Sequence, residues 1–276
     1  MCDTLRVSQQ LIRLDVPLMI GLSVIVLLFA RDQNISQFEG WLLLAGLAGY
    51  IGFLIYENRK KTETDNKSTD QNPDIVKKDT GKTNWPLNIV FIVGGLLLLV
   101  IGSRWLVDGA VTFAQYLGVS ELVIGLTIVA AGTSLPEVVT SLIAAIRGER
   151  DIAVGNVVGS NIFNIMGVLG IAGIIAPAGI EVSEAIYHFD MPIMIAVAFA
   201  CLPIFFTGGT INRWEGALLI GYYVAYTLYL ILATTVHVAL PMFSAVMLYF
   251  VIPITGITII IIAVQEFRTR NKNSME

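Results

Sequence analysis

Charged side chains are scarce in this sequence, at 14% of 276 residues, where a soluble globular domain carries about a quarter. Those present are confined to connecting stretches. The net charge of −4 therefore describes loops, and there is no basic footprint for a nucleic-acid partner. Cysteine is nearly missing as well. Cys2 and Cys201 are too few and too far apart for a disulfide framework or a thiolate metal site. Histidine is limited to His188 and His237, which argues against an imidazole centre for zinc or copper. Residues 1–13 lack the apolar core of a cleavable signal peptide.

Long apolar runs fill the space that charge leaves. Apolar residues make up 55% of the chain, and the mean hydropathy is +0.76. The expectation is an all-α polytopic membrane protein in the lipid bilayer, with about eight spanning helices. Their approximate ranges are 14–30, 40–56, 86–118, 119–146, 151–176, 190–207, 214–233 and 238–265. The third is too long for one upright crossing and reads as a tilted or bent helix. Residues 57–85 are polar and of mixed charge, and are expected to form a disordered cytoplasmic linker. The domain boundaries follow: 1–56, the linker 57–85, a five-helix repeat at 86–233, and an extra helix with a cytoplasmic tail at 234–276.

With the linker in the cytoplasm and the spans alternating, fifteen of the seventeen basic residues fall inside. Only Arg31 falls outside, and Arg104 lies within the third span. The expected location is the cell's inner (plasma) membrane, with linker and C-terminus cytoplasmic.

The chain also repeats itself. DVPLMI at 15–20 matches DMPIMI at 190–195, and Glu39-Gly40, Leu42-Leu43 and Tyr50 match Glu215-Gly216, Leu218-Leu219 and Tyr226. RVSQQLIRLD similarly parallels EVSEAIYHFD. In the topology above the two copies run in opposite directions, an arrangement that recurs in secondary transporters. The first copy has no counterpart of residues 86–180, so a chain truncated at its N-terminus is expected.

Residues 125–165 are the chemical centre. Glu137 stands in the middle of an apolar run, where an ionisable group marks a functional site by default. Gly132, Thr133, Ser134 and Pro136 precede it, a combination that breaks a helix and bares its carbonyls. The next run is interrupted at Gly159-Ser160-Asn161 and again at Asn164. Hydroxyls, carbonyls and one carboxylate form an all-oxygen donor set, suited to hard cations such as Na⁺ or Ca²⁺. Gly155, Gly159, Gly167 and Gly170 read more simply as packing residues. An enzyme is not expected: Ser134 has no base at hand, and both histidines are placed in outer loops.

GTSLPE at 132–137 followed by GNVVGSNIFNI at 155–165 resembles the second alpha repeat of the sodium/calcium exchanger superfamily, in its bacterial form without a large regulatory loop. The resemblance implies an inverted-repeat cation exchanger fold with its first alpha repeat missing. It also implies an antiporter exchanging Ca²⁺ for Na⁺ or H⁺, in some branches with K⁺ co-transport, by alternating access. Thr133, Ser134, Glu137, Ser160 and Asn164 are then the cation ligands, with Glu137 the metal-binding carboxylate, and no cofactor is called for. Some exchangers have Asp where Asn164 stands, so the charge of the site differs here. A full site in such a family faces two acidic motifs and this chain has one. A separate chain supplying the other repeat is therefore an expected partner besides lipid and inorganic cations. The other reading is a transport-inactive membrane scaffold.

Overall fold

The computed structural model describes residues 5–6, 14–69, 85–206, 210–211 and 213–257. Residues 7–13, the linker at 70–84, and everything after 257, including the end of the expected eighth span, lie outside the described residues. The described chain is almost wholly helical. In order it runs β1 (Leu5–Arg6), α1 (Val16–Phe29), β2 (Asn34–Ile35), α2 (Gln37–Thr69), α3 (Trp85–Tyr116), α4 (Glu121–Ile124), α5 (Ala130–Thr133), α6 (Leu135–Ile146), α7 (Arg150–Phe163), α8 (Leu169–Ile175), β3 (Ile180–Glu181), α9 (Met191–Phe206), β4 (Thr210–Ile211), α10 (Arg213–Thr234) and α11 (Leu240–Val246). Wider π-helical turns join α4 to α5 at Gly125–Val129 and α7 to α8 at Asn164–Val168, lead into α9 at Ile186–Asp190, and extend α11 over Met247–Val251.

Six helices among the described residues are long and apolar enough to cross a membrane, or seven if the bent pair around Ser134 counts as one span. The protein is a multi-pass membrane protein. The first of the eight expected spans is the one not counted. α1 has 14 residues, about 21 Å at 1.5 Å per residue, and it reaches further only through its flanking turns. α3 is one continuous helix of 32 residues, as the long third run requires. Its large apolar side chains, Leu98 and Trp105 among them, are exposed, as expected of a face that meets lipid.

The linker expectation needs correction at its start. α2 does not stop at Tyr56 but continues to Thr69. Residues 57–69 contain good helix formers and no proline, with Glu57 and Lys61 four apart, and a helix already nucleated in the bilayer extends through such a sequence.

The described residues form two compact units, one drawn from 1–21, 98–160 and 193–276 and the other from 22–97 and 161–192. In the second unit, α2 packs on α8 through glycine. A Cβ on Gly40 would lie 2.8 Å from the Gly170 carbonyl oxygen and 2.9 Å from the Ile174 nitrogen, so the two backbones touch. Gly167 is constrained less tightly, by the side chains of Leu47 and Phe163 at 3.2 Å. Gly159 is not: nothing lies within 4 Å of its would-be Cβ, and the packing role expected of it does not hold. α2 begins with a reciprocal cap. The Ser36 backbone N–H and hydroxyl both donate to the Glu39 carboxylate at 2.8 Å, and the Glu39 N–H donates to the Ser36 hydroxyl. One residue on, the Gln37 amide donates to the carbonyls of Ile174 and Ala176 at the end of α8, groups a helix end leaves open. The unit's apolar core gathers Val26, Ala30, Ile35, Leu43, Val182 and Met191.

In the first unit, α3 meets the broken span. Gly132 is buried, and a Cβ there would collide with a methyl of Val107. α10 is tied to the last helix by the Tyr222 hydroxyl, which donates to the Val251 carbonyl at 3.3 Å.

Two pairs of two-residue strands bear on the internal repeat. β1 pairs with β4, Leu5 opposite Ile211 and Arg6 opposite Thr210. β2 pairs with β3, Asn34 opposite Glu181 and Ile35 opposite Ile180. The repeat offsets, 175 before α1 and 176 after it, carry Leu5 to Ile180, Arg6 to Glu181, Asn34 to Thr210 and Ile35 to Ile211. Each pairing therefore maps onto the other residue by residue. α1 and α9 are likewise both entered through a π-helical turn, at residues 14–15 and at Ile186–Asp190.

Candidate functional site

The site is built on a helix that stops and restarts. Residues 127–133 and 135–146 meet at an angle of 53°, and Ser134, at φ −92° and ψ 1°, is the hinge. Pro136 explains the break locally. It has no N–H to give the carbonyl of Gly132 four residues back, and its ring disfavours a helical residue before it. Glu137 follows in the first turn of α6. One of its carboxylate oxygens, Oε2, is buried without a hydrogen-bond partner. A buried acceptor of this kind costs free energy until a donor or a cation meets it.

Two of the sequence-predicted hydroxyls are turned to accept. Thr133 Oγ1 donates to the Ala130 carbonyl at 3.0 Å, and Ser160 Oγ donates to the Val157 carbonyl at 3.0 Å. Each hydroxyl proton is thus turned back on its own helix, which leaves the oxygen lone pairs for a ligand. Ser134 makes no side-chain cap to α6. Among the described residues no three of His, Cys, Asp and Glu gather as a metal group. The oxygens around the break are those of one carboxylate and of hydroxyls, of the type that hard cations accept.

Thr133, Ser134 and Glu137 lie within one turn of the break, and Ser160 belongs to the same unit on α7. Asn164 falls in the other unit, where it opens the π-helical turn Asn164–Val168. Such turns recur at functional positions because they shift the register of everything that follows.

Residues 87–232 match the sodium/calcium exchanger protein family, more than half of the sequence. The chain belongs to that family. It is 38% identical over 80% of its length to the candidate antiporter CaxA of Alkalimonas amylolytica, covering 69% of that protein. It is 43% identical over 50% of its length to the sodium/calcium exchanger MaX1 of Methanosarcina acetivorans, covering 39% of that protein. Among solved structures it resembles the sodium-calcium exchanger NCX_Mj soaked with Na⁺ and Sr²⁺, with a TM-score of 0.58 at 25% identity over 81% of this chain and 67% of that one. The chain thus spans about two thirds or less of these relatives.

Within this exchanger-family chain, sequence reasoning missed Asn156. Its side-chain amide donates to the Glu137 main-chain carbonyl at 3.1 Å and to Ser141 Oγ at 3.0 Å. The available signal was its spacing: Asn156 stands four residues before Ser160, on the same helical face.

Proposed function

We propose that this chain forms one wall of the ion site of a secondary antiporter that exchanges Ca²⁺ for Na⁺ by alternating access. The observation that carries the reading is the buried, unpartnered Oε2 of Glu137 beside a helix break with free oxygen acceptors. Thr133, Ser134, Glu137 and Ser160 supply oxygens from the first unit; for Asn164, which falls in the other unit, the role of ligand rests on the family resemblance alone. A dication and Na⁺ compete for the same oxygens, so loading with one releases the other, and exchange follows if the site opens to alternate sides. Na⁺ is taken as the counter-ion because hydroxyl oxygens ligate Na⁺ without taking up a proton near neutral pH; H⁺, the other counter-ion the family resemblance implies, would act through Glu137. The membrane is the cell's inner (plasma) membrane, with the start of the linker on the cytoplasmic side, on the distribution of Lys and Arg.

A second reading is a half-transporter or scaffold that needs a separately supplied repeat. It is favoured by the single carboxylate in the site. The two are separated by Na⁺-gradient-driven uptake of radiolabelled Ca²⁺ into vesicles holding the full chain, beside Glu137→Gln. Uptake that Glu137→Gln abolishes supports exchange by this chain. Equal uptake by both removes Glu137 from the site. No uptake by either, with the protein inserted, supports the half-transporter.

A further inference from the structure

We propose that Asn156 is the positioning residue for Glu137: its amide clamps the first turn of α6, and so fixes the height of the carboxylate that meets the cation. The inference rests on the cation-exchange reading and adds a residue that itself touches no ion.

The first turn of α6 is poorly held from within. It begins in mid-span after a bend of 53°, its N-cap Ser134 makes no side-chain bond to it, and Pro136 contributes no N–H. A helix start of this kind has open N–H groups and few internal bonds to hold its first turn. The Val138 N–H bond to the Ser134 carbonyl, 3.0 Å, spans the hinge itself.

Asn156 supplies the outside hold. A primary amide has two N–H donors, and each is used, one on the Glu137 carbonyl and one on Ser141 Oγ. These acceptors lie four residues apart on α6, so one rigid planar group grips a full helical turn. Two bonds from one plane fix the rotation of α6 as well as its height against α7. All three residues are half-buried, where such bonds are stronger than in water. A small apolar residue would pack these helices without the cost of burying an amide; the amide is explained if position has to be held.

The gripped carbonyl belongs to the residue whose carboxylate oxygen is buried and unpartnered. Any slip of that main chain moves the carboxylate with it. Ca²⁺ accepts oxygens only at about 2.3–2.6 Å, and a binding group displaced by more than about 0.5 Å is no longer competent.

The test uses the full chain in nanodiscs, with Asn156→Leu, which keeps the shape and removes both donors, with Ser141→Ala, which removes one acceptor, and with the double variant. Two quantities are read: the Kd for Ca²⁺ by radiolabel binding, and amide hydrogen exchange over residues 137–141. Asn156→Leu is expected to raise the Kd about ten-fold and Ser141→Ala about two- to three-fold, each at unchanged stoichiometry. The double variant should be no worse than Asn156→Leu, because one clamp is removed in both. Exchange over 137–141 should accelerate with the exchange of α10 unchanged. Wild-type affinity in Asn156→Leu, or lost affinity with exchange over 137–141 unaltered, overturns the proposal. If the wild type binds no Ca²⁺, the cation reading fails by itself and the exchange arm still decides the clamp. If Asn156→Leu does not insert, Asn156→Ser and Ser141→Ala are read by the same criteria.

Discussion

A carboxylate in an apolar helix is tolerated when it is neutralised, paired or in contact with water or an ion. Glu137 leaves that requirement open: one oxygen is buried and has no donor, while its main-chain carbonyl is held by Asn156. The acceptor is held in place and left open. Thr133 and Ser160 repeat the pattern with hydroxyl protons folded onto their own helices. Thr133→Val keeps the β-branched shape and removes only the oxygen, so Ca²⁺ affinity should fall about three- to ten-fold, at the scale of one lost oxygen contact, with thermal stability unchanged within about 0.5 kcal/mol. Radiolabel binding and a melting curve check the two halves of that statement. Glu137 is legible in the sequence because an ionisable group in an apolar run is conspicuous. Asn156 is not, since a bond to a main-chain carbonyl nineteen residues away leaves no mark on residue type.

At the scale of elements, the break is set by local chemistry and its surroundings by contact. Gly132-Thr133-Ser134 before Pro136 announces the hinge, and the hinge is found there. Why position 132 must be glycine emerges only from α3, whose Val107 occupies the space a Cβ would need. Gly132→Ala is expected to lower Ca²⁺ uptake or binding about ten-fold, overpacking of this kind costing ~1–3 kcal/mol. Val107→Ala in the same chain should restore most of it. Failure of the second substitution to rescue would show that the glycine serves the backbone and not the contact. The contact of α2 with α8 is less easily relieved. Gly40→Val has backbone atoms on both sides and no side chain to displace, so it should lower the melting temperature of the purified protein more than Gly159→Val, whose surroundings are open. The helical stretch 57–69 was hidden for the opposite reason. Its composition reads as linker, yet α2 extends through it, because a helix begun in an apolar run extends more easily than one that must nucleate.

For the whole molecule, the internal repeat is the organising feature. It shows in the sequence as paired Asp-X-Pro and Glu-Gly segments. It returns in the strand pairings, where Leu5 with Ile211 and Ile180 with Ile35 are one contact met twice. The pairing itself was not legible, since two-residue strands carry no periodicity to detect. Opposite orientation of the copies predicts opposite accessibility of their connections. With Cys2 and Cys201 replaced, Gln33→Cys should react with a membrane-impermeant thiol reagent in intact cells, and Glu149→Cys only after permeabilisation. Labelling of both from one side would refute the inverted topology. The family match and the resemblance to NCX_Mj agree with the fold. The central claim, that this carboxylate is a cation ligand, is tested most directly by equilibrium binding of radiolabelled Ca²⁺ to the purified chain in nanodiscs, wild type against Glu137→Gln. The account predicts saturable binding that Na⁺ displaces and that Glu137→Gln weakens at least about ten-fold, the loss of a charged ligand being worth ~1.4 kcal/mol or more. Equal binding by both proteins would contradict it.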